Sequence, residues 1–293
     1  MLAALIIFPL AIIAIVFILL TVFSPEWIAD EYKWLGVIPL AGLIGAFVLR
    51  RGLNEWWYER FPNRLAKIER DILLKHFAYY ADLNETAKLE FEKRLYIFRL
   101  QKQFQMRGAE QLTGDIQLLV SAVAIQFTFG MQATREFLPK LGMIVLYPQT
   151  FISPDLNQQT HALEYYADEV FDCILLSINM LVKGLQRPQE FYNSALYAFA
   201  KAWAIREEVG EERLPIADKA LFLQQLFILR GFPPDFIHKY TALPAYELFP
   251  LAVELFFAYP EKMQLQMPEI YAILVEILGQ DSMNRVNPVL QKV

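Results

Sequence analysis

The segment "YNSALYAFAKAW", Tyr192 to Trp203, carries the residues whose spacing bears most directly on chemistry. Read as a helix, it sets Tyr197 and Lys201 one turn apart on a single face, with Ala198 beside them. Side chains at i and i+4 are the pair with which a helix offers two ligands to one metal ion, the residue after the first ligand serving as a base. Here the three positions hold a phenol, a methyl group and an ammonium. A phenol with a pKa near 10 is a poor ligand at neutral pH. An ammonium has no lone pair and repels a dication, and Ala198 takes no proton. The helix reads either as ordinary core or as a metal site without its metal.

Other chemistry-bearing residues are sparse. The histidines are His76, His161 and His238, and no two lie within one helical turn, so no local histidine motif exists. His161 in "QQTHALEYYADE" has Glu164 at i+3 and Asp168 at i+7, a grouping common on solvated helices and weak as a metal site. His76 and His238 read as surface or partly buried side chains. Cys173, in the apolar run "FDCILLSI", reads as a buried small hydrophobe. Being the single cysteine, it permits no internal disulfide and no thiolate cluster. Glu247 precedes Glu254 by seven residues, two turns along one helical face if the helix continues through Pro250. Glu247 reads as a solvated or capping carboxylate. There is no phosphate-binding glycine loop and no Gly-x-Ser-x-Gly elbow. A net charge of −5 and a pI of about 5.4 argue against a nucleic-acid partner.

The elements that must hold these residues divide by composition. Of 293 residues, 56% are apolar, and mean hydropathy is +0.28, high for a soluble chain. Residues 1–23, "MLAALIIFPLAIIAIVFILLTVF", contain no charge and would extend roughly 34 Å as a helix, enough to cross a core of ~30 Å. Basic residues before this run and a small-x-small site after it are lacking, so it reads as an uncleaved span rather than a signal peptide. "WLGVIPLAGLIGAFVL", residues 34–49, reads as a second, short span. Gly36, Gly42, Gly45, Ala41 and Ala46 would let the two helices approach closely. The alternative is a re-entrant or interfacial helix. The loop between them carries three acids and one lysine, whereas residues 50–70 carry six Lys or Arg. The positive-inside rule then places the larger domain in the cytoplasm. Trp56, Trp57 and Tyr58 suit a headgroup region. The expected organisation is a transmembrane hairpin over 1–50, a basic and aromatic linker over 51–75, a folded domain over 76–282 and a tail over 283–293.

Within the domain, "ETAKLEFEKRLYIFRLQKQF" predicts a helix with Leu89, Phe91, Leu95, Phe98 and Leu100 on its buried face. "TGDIQLLVSAVAIQFTFG" predicts a buried helix from an N-cap at Thr113 to Gly130. "LGMIVLYPQTFISP" predicts strand, turn and strand. For "VFDCILLSINMLVKGL" periodicity leaves strand and helix both open.

Three stretches, in order, resemble the MtfA family of zinc-dependent peptidases. "EFEKRLYIFRLQKQFQMRGAEQLTGDIQLLVSAVAIQFTFG" is similar to its helical signature, and "IVLYPQTFI" to its Val-Leu-Tyr-Pro strand. "YELFPLAVELFFAYPEKMQLQMPEIYAILVEILGQDS" is similar to its C-terminal block, as far as the Gly-Gln-Asp end. The similarity covers roughly Leu83 to Ser282. It implies an α+β, mainly α-helical, zincin-like domain with a small β-sheet. In that family a His-Glu-Phe-Ala-His helix and a glutamate of the C-terminal block bind zinc, and the motif's own glutamate activates the zinc-bound water. Those five positions fall on Tyr197, Ala198, Phe199, Ala200 and Lys201. Phe199 and Ala200 match, and Glu254 matches the third ligand.

The expectation is a degenerate member with no catalytic residue, no cofactor and no metal, in which Glu254 is a vestigial ligand. The Lys201 ammonium would stand in for zinc's charge and pair with Glu254, with Tyr197 donating to the same carboxylate. The rival is a Lys201 that reaches solvent. The function expected is binding of a protein or peptide at the cytoplasmic face of a bacterial inner membrane. The alternatives are an active metallopeptidase with a non-standard site, holding zinc, and a helical membrane-associated scaffold. Neither the partner nor the oligomeric state is encoded in any motif.

Overall fold

A computed structural model describes residues 2–23, 37–50, 64–108, 111–131, 140–152, 160–161, 163–166, 172–188, 190–207, 219–230 and 245–289, with a few isolated residues between. Its contacts divide the chain into two units, Met1–Arg64 and Leu65–Val293. That boundary falls inside the predicted linker.

The first unit contains helices α1 (Leu2–Phe23) and α2 (Val37–Val48). They pack through small residues. Ala14 and Ala46 are buried, and a Cβ at Gly42 would meet the Leu10 side chain at 3.6 Å. Gly45 faces open space and Ala41 is exposed, so neither serves the close approach expected of it. Gly36, Trp56 and Tyr58 lie outside the described residues. Leu5, Phe8, Ile12 and Ile15 are exposed. Among the described residues, no helix is long and apolar enough to cross a membrane. The twelve residues of α2 cover only about 18 Å, against ~30 Å of hydrocarbon. The transmembrane hairpin expected over 1–50 is therefore not supported; the described residues form a pair of packed apolar helices.

The second unit begins with α3 (Lys67–His76), α4 (Ala78–Asp82) and α5 (Glu85–Gln101). Asn84 caps α5, its Oδ1 accepting the Ala87 N–H at 2.8 Å. The buried stripe of α5 is Ala87, Phe91, Leu95 and Phe98, while Leu89 and Leu100 are exposed. The correction follows from phase: Leu89 lies two residues, about 200°, from Phe91. Strand β1 (Gln103–Met106) occupies the end of what reads in sequence as the same helix. Helix α6 (Gly114–Thr128) follows, with Leu118 through Thr128 all buried. Thr113 stands at its N-cap position without a side-chain capping bond.

Next come β2 (Leu141–Tyr147), β3 (Phe151–Ile152), β4 (Thr160–His161), β5 (Leu163–Tyr166) and β6 (Asp172–Ser177). One sheet has the order β1-β2-β6-β5, its first three strands parallel and β5 antiparallel at the edge. Ile144 is in register with Ile174, and both face the main core. In the second sheet β3 pairs with β4, setting His161 opposite Phe151. His161 therefore sits on a strand rather than a helix, Glu164 lies on β5, and Asp168 is outside the described residues. The ambiguous "VFDCILLSINMLVKGL" is strand and then helix. Ser177 ends β6 and caps α7 (Ile178–Gln186), its hydroxyl accepting the Met180 N–H.

Helices α8 (Ser194–Arg206), α9 (Lys219–Arg230), α10 (Ala245–Ala258), α11 (Pro260–Gln266) and α12 (Pro268–Leu278) complete the unit. A buried ion pair fixes the C-terminal end of α8 to the sheet. Asp172, fully buried, accepts from Arg206 Nε at 2.7 Å and pairs with Arg206 Nη2, and the Tyr165 hydroxyl donates to it at 2.8 Å. Burial, reinforced by that hydrogen bond, pushes the Tyr165 phenol up to about 12.

The Gly-Gln-Asp end acts as a bolt. Gly279 caps α12 in the left-handed region at φ 61°, and its carbonyl lies against Gly130, where any Cβ would be well inside contact distance. Gln280, fully buried, donates Nε2 to the Gln126 carbonyl at 2.9 Å, satisfying a C-terminal carbonyl of α6, and accepts from the Tyr79 hydroxyl at 2.6 Å. Residues 283–289, expected as a tail, belong to this unit. Asp281 N–H donates to the Pro288 carbonyl at 2.7 Å, and Asn84 N–H to the Val286 carbonyl at 2.9 Å.

Replacing Gly130 by alanine should lower stability by about 3 kcal/mol, because the Gly279 carbonyl and the Gln280 Cβ block the added methyl; urea unfolding measures it. The raised Tyr165 pKa has a second consequence. Its stabilisation is complete below pH 10 and disappears as pH rises through about 12. Tyr165→Phe should flatten the loss of thermal stability across that alkaline window.

Candidate functional site

Helix α8 is seated by its own sequence. Asn193 is its N-cap, Oδ1 accepting the Leu196 N–H at 3.1 Å. Ala198, Phe199, Ala200, Ala202 and Ala204 are fully buried, and Phe199 meets Phe98 edge-on at 6.0 Å. Asn193, Tyr197 and Lys201, at i, i+4 and i+8, form the polar stripe of an otherwise apolar helix. That stripe faces α10. Pro250 lies within α10 without ending it, so Glu247 and Glu254 share one face, as the seven-residue spacing predicts.

The two helices run antiparallel, and their polar stripes meet. Lys201 Nζ stands 2.7 Å from Glu247 Oε1, and the Tyr197 hydroxyl donates to Glu247 Oε2 at 2.8 Å. The Lys201 and Glu247 side chains are 19% and 18% exposed. Glu254, one of the buried charged residues, accepts the Asn193 backbone N–H on Oε1 at 3.3 Å. It therefore sits at the N-terminus of α8, where the helix dipole favours an anion. The structure thus brings together all the residues singled out on α8 and α10 but pairs them differently from expectation. Both the ammonium and the phenol go to Glu247, which reads as a solvated carboxylate in sequence. The reason is direction: in an antiparallel pair, moving from Tyr197 to Lys201 leads away from Glu254 and towards Glu247.

The arrangement does not fit zinc. Catalytic zinc takes three protein ligands and an open position for water. At the two positions that the resemblance assigns to histidines stand a phenol donating to Glu247 and an ammonium paired with the same carboxylate. The base position is a fully buried methyl group. Among the described residues, no group of three or more His, Cys, Asp or Glu is placed to hold a metal ion. His238 lies outside the described residues. Cys173 is half-buried on β6 rather than fully buried, and burial raises its thiol pKa against the opposing pull of Arg107, which disfavours a reactive thiolate.

On the other side of Glu254 lies a cavity of about 280 Å³, whose wall includes Glu254, Asn193, Leu196 and His76. No motif announces it, because its lining comes from six separated stretches of chain.

A family model described as "Glucose-regulated metallo-peptidase M90" matches residues 54–202, from ahead of α3 to within α8. A curated relative, the uncharacterized protein slr2042 of Synechocystis sp. (strain ATCC 27184 / PCC 6803 / Kazusa), is 24% identical over 260 residues, spanning 81% of this chain and 94% of its own length.

Lys201→Met should cost about 2 kcal/mol, less than a fully buried pair would because both partners retain some exposure. The double variant with Glu247→Gln should recover at least half of that. A double-mutant cycle by chemical denaturation measures the coupling.

Proposed function

The chain belongs to the glucose-regulated metallo-peptidase M90 family, and from that premise we propose that it is a catalytically inactive member acting by binding a protein or peptide. The observation that supports this reading is the clamp on Glu247, with Lys201 at 2.7 Å and Tyr197 at 2.8 Å. In the MtfA pattern these two positions would be the histidine ligands, and Ala198 the base. Loss of a general base alone typically costs ~10²–10⁴-fold in rate. Loss of two ligands removes the site at which a water could be ionised. The fold around the vacated chemistry is nonetheless complete: α8 remains capped, packed and tied to the sheet by Arg206 and Asp172. A scaffold kept in order without its reaction is suited to recognition.

We also propose that α1 and α2 anchor the protein at a bacterial inner membrane, with the larger unit on the cytoplasmic side. The support is the uninterrupted apolar run of residues 1–23, the outward-facing Leu5, Phe8, Ile12 and Ile15, and the basic flank over 50–70.

The two readings are tested separately. The full chain, purified in detergent, should contain less than one-tenth zinc per chain by elemental analysis and should show no chelator-sensitive peptide hydrolysis. Stoichiometric zinc with such hydrolysis would establish an active peptidase instead. The triple variant Tyr197→His, Ala198→Glu, Lys201→His should acquire zinc if the pocket geometry persists. For the anchor, the chain should stay with membranes through an alkaline carbonate wash, and deleting residues 1–50 should release it.

A further inference from the structure

The cavity at the N-terminal end of α8 plays no part in the clamp. Its volume of about 280 Å³ is at the lower end for ligand pockets, so an occupant must be small. Two of its wall residues carry hydrogen-bonding groups that the protein itself leaves open. Gln126, on α6, is 8% exposed. Its main-chain carbonyl accepts from Gln280, but among the described residues its side-chain amide has no hydrogen-bond partner. A residue inside a helix presents its side chain, rather than its peptide, to the space beside it, so this amide faces the cavity. Asn193, 9% exposed on the same wall, is half committed. Its Oδ1 caps α8 by accepting the Leu196 N–H, which leaves Nδ2 without a partner among the described residues. Burying an amide unpaired is costly, and buried polar groups in folded proteins are nearly always hydrogen-bonded.

The other polar side chains of the lining are taken or stand at the mouth. The Tyr79 hydroxyl donates to Gln280, and the Ser282 hydroxyl shares a hydrogen bond with Tyr271. Asp82 and Arg285, both exposed, pair with each other at 3.8 Å, and His76 is exposed. Glu254 accepts the Asn193 backbone N–H and is not counted among the open groups. The open set is therefore neutral: two N–H donors and a carbonyl on Gln126, and two N–H donors on Asn193. Its complement is a group with a carbonyl to accept and an N–H to give back to the Gln126 carbonyl. A carboxamide carries both on one planar unit and can pair with a second amide through two parallel hydrogen bonds. A ketone or ester lacks the donor, and an ammonium lacks the acceptor. Phe77 and Leu196, both buried, with Phe257, supply an apolar wall for a short hydrocarbon.

We propose that this cavity is a binding site for a primary carboxamide, paired with the Gln126 amide and accepting from Asn193 Nδ2, with its hydrocarbon along Phe77, Leu196 and Phe257. Two sources supply that chemistry: a free small amide, or the glutamine or asparagine side chain of a bound peptide. The peptide source rests on the recognition reading above, and the free source does not.

Calorimetry on the full chain in detergent tests it with three probes. They are butanamide, 2-pentanone, which keeps the carbonyl and the shape without the N–H donors, and a short peptide carrying one glutamine or methionine in its place. Butanamide should bind at least tenfold more tightly than 2-pentanone, because the ketone leaves the Gln126 carbonyl unpaired. Gln126→Met should weaken butanamide binding at least tenfold while the melting temperature holds or rises, since it removes an unpaired buried amide. Ala258→Phe, which fills the cavity from its wall, should abolish binding. A glutamine peptide that displaces butanamide where its methionine counterpart does not supports the site and assigns it to a peptide side chain. Tight butanamide binding that neither peptide displaces supports the site and assigns it to a free amide. Equal affinity for butanamide and 2-pentanone overturns the proposal. Undiminished binding in either variant, or no binding at tens of millimolar amide, does the same. A marked fall in the melting temperature of Gln126→Met would show the amide already engaged within the protein and overturn it too. Zinc measured on the same sample reports on the inactive-member reading alone, since neither Gln126 nor Asn193 is a residue of the metal pattern.

Discussion

The contact between α8 and α10 is the constraint on which the rest of the second unit turns. Two largely buried helices face each other with a polar stripe each, and every charge in that seam must be compensated. Two carboxylates lie on one side and a single ammonium on the other. The structure solves this unevenly. Glu247 takes both Lys201 and the Tyr197 hydroxyl, while Glu254 lies at the N-terminus of α8 on the Asn193 N–H. Glu247 is compensated by a formal charge, and Glu254 sits where a helix dipole favours an anion.

What keeps that seam in place lies at its two ends. At the C-terminal end of α8, Arg206 reaches the fully buried Asp172, which also accepts from Tyr165, so the helix is tied to β5 and β6 together. At the other end of the unit, the Gly279–Gln280 bolt joins α12 to the C-terminus of α6 and to Tyr79. These devices act on the backbone and on buried polar groups, where loss of one partner leaves the other stranded. They give the Gly-Gln-Asp end a structural role in the fold.

Element identity was legible where pattern and punctuation agreed. The all-apolar run of α6 and the Val-Leu-Tyr-Pro strand followed by a turn both read directly, and both are found. The phase of α5 did not: Leu89 and Leu100 look equivalent to Phe91 and Phe98 only if helical angle is ignored, and each lies two residues from the one that turns inward. Strand β1 was hidden because "QFQM" carries neither a turn signal nor a β-branched residue, and it becomes a strand through its pairing with β2. In the site, the residue types were readable and their partners were not. Spacing within each helix follows from ~3.6 residues per turn, but which residue of α8 meets which residue of α10 depends on helix direction and sliding. The cavity lies further still from sequence, since its walls come from stretches between His76 and Pro288.

On the proposed reading, an ammonium standing where the family pattern puts a metal ligand has a consequence for folding as well as catalysis. A metal held by two helices contributes its binding energy to the folded state, so the stability of such a domain depends on its loading. An internal cation is always present at unit stoichiometry and costs no search for a ligand. It carries one charge instead of two, and it can neutralise one carboxylate instead of polarising a water. On that reading the seam, with Lys201 committed to Glu247, would be independent of metal supply and would have no Lewis acid. Glu254, buried at the N-terminus of α8, borders a cavity with aromatic walls instead.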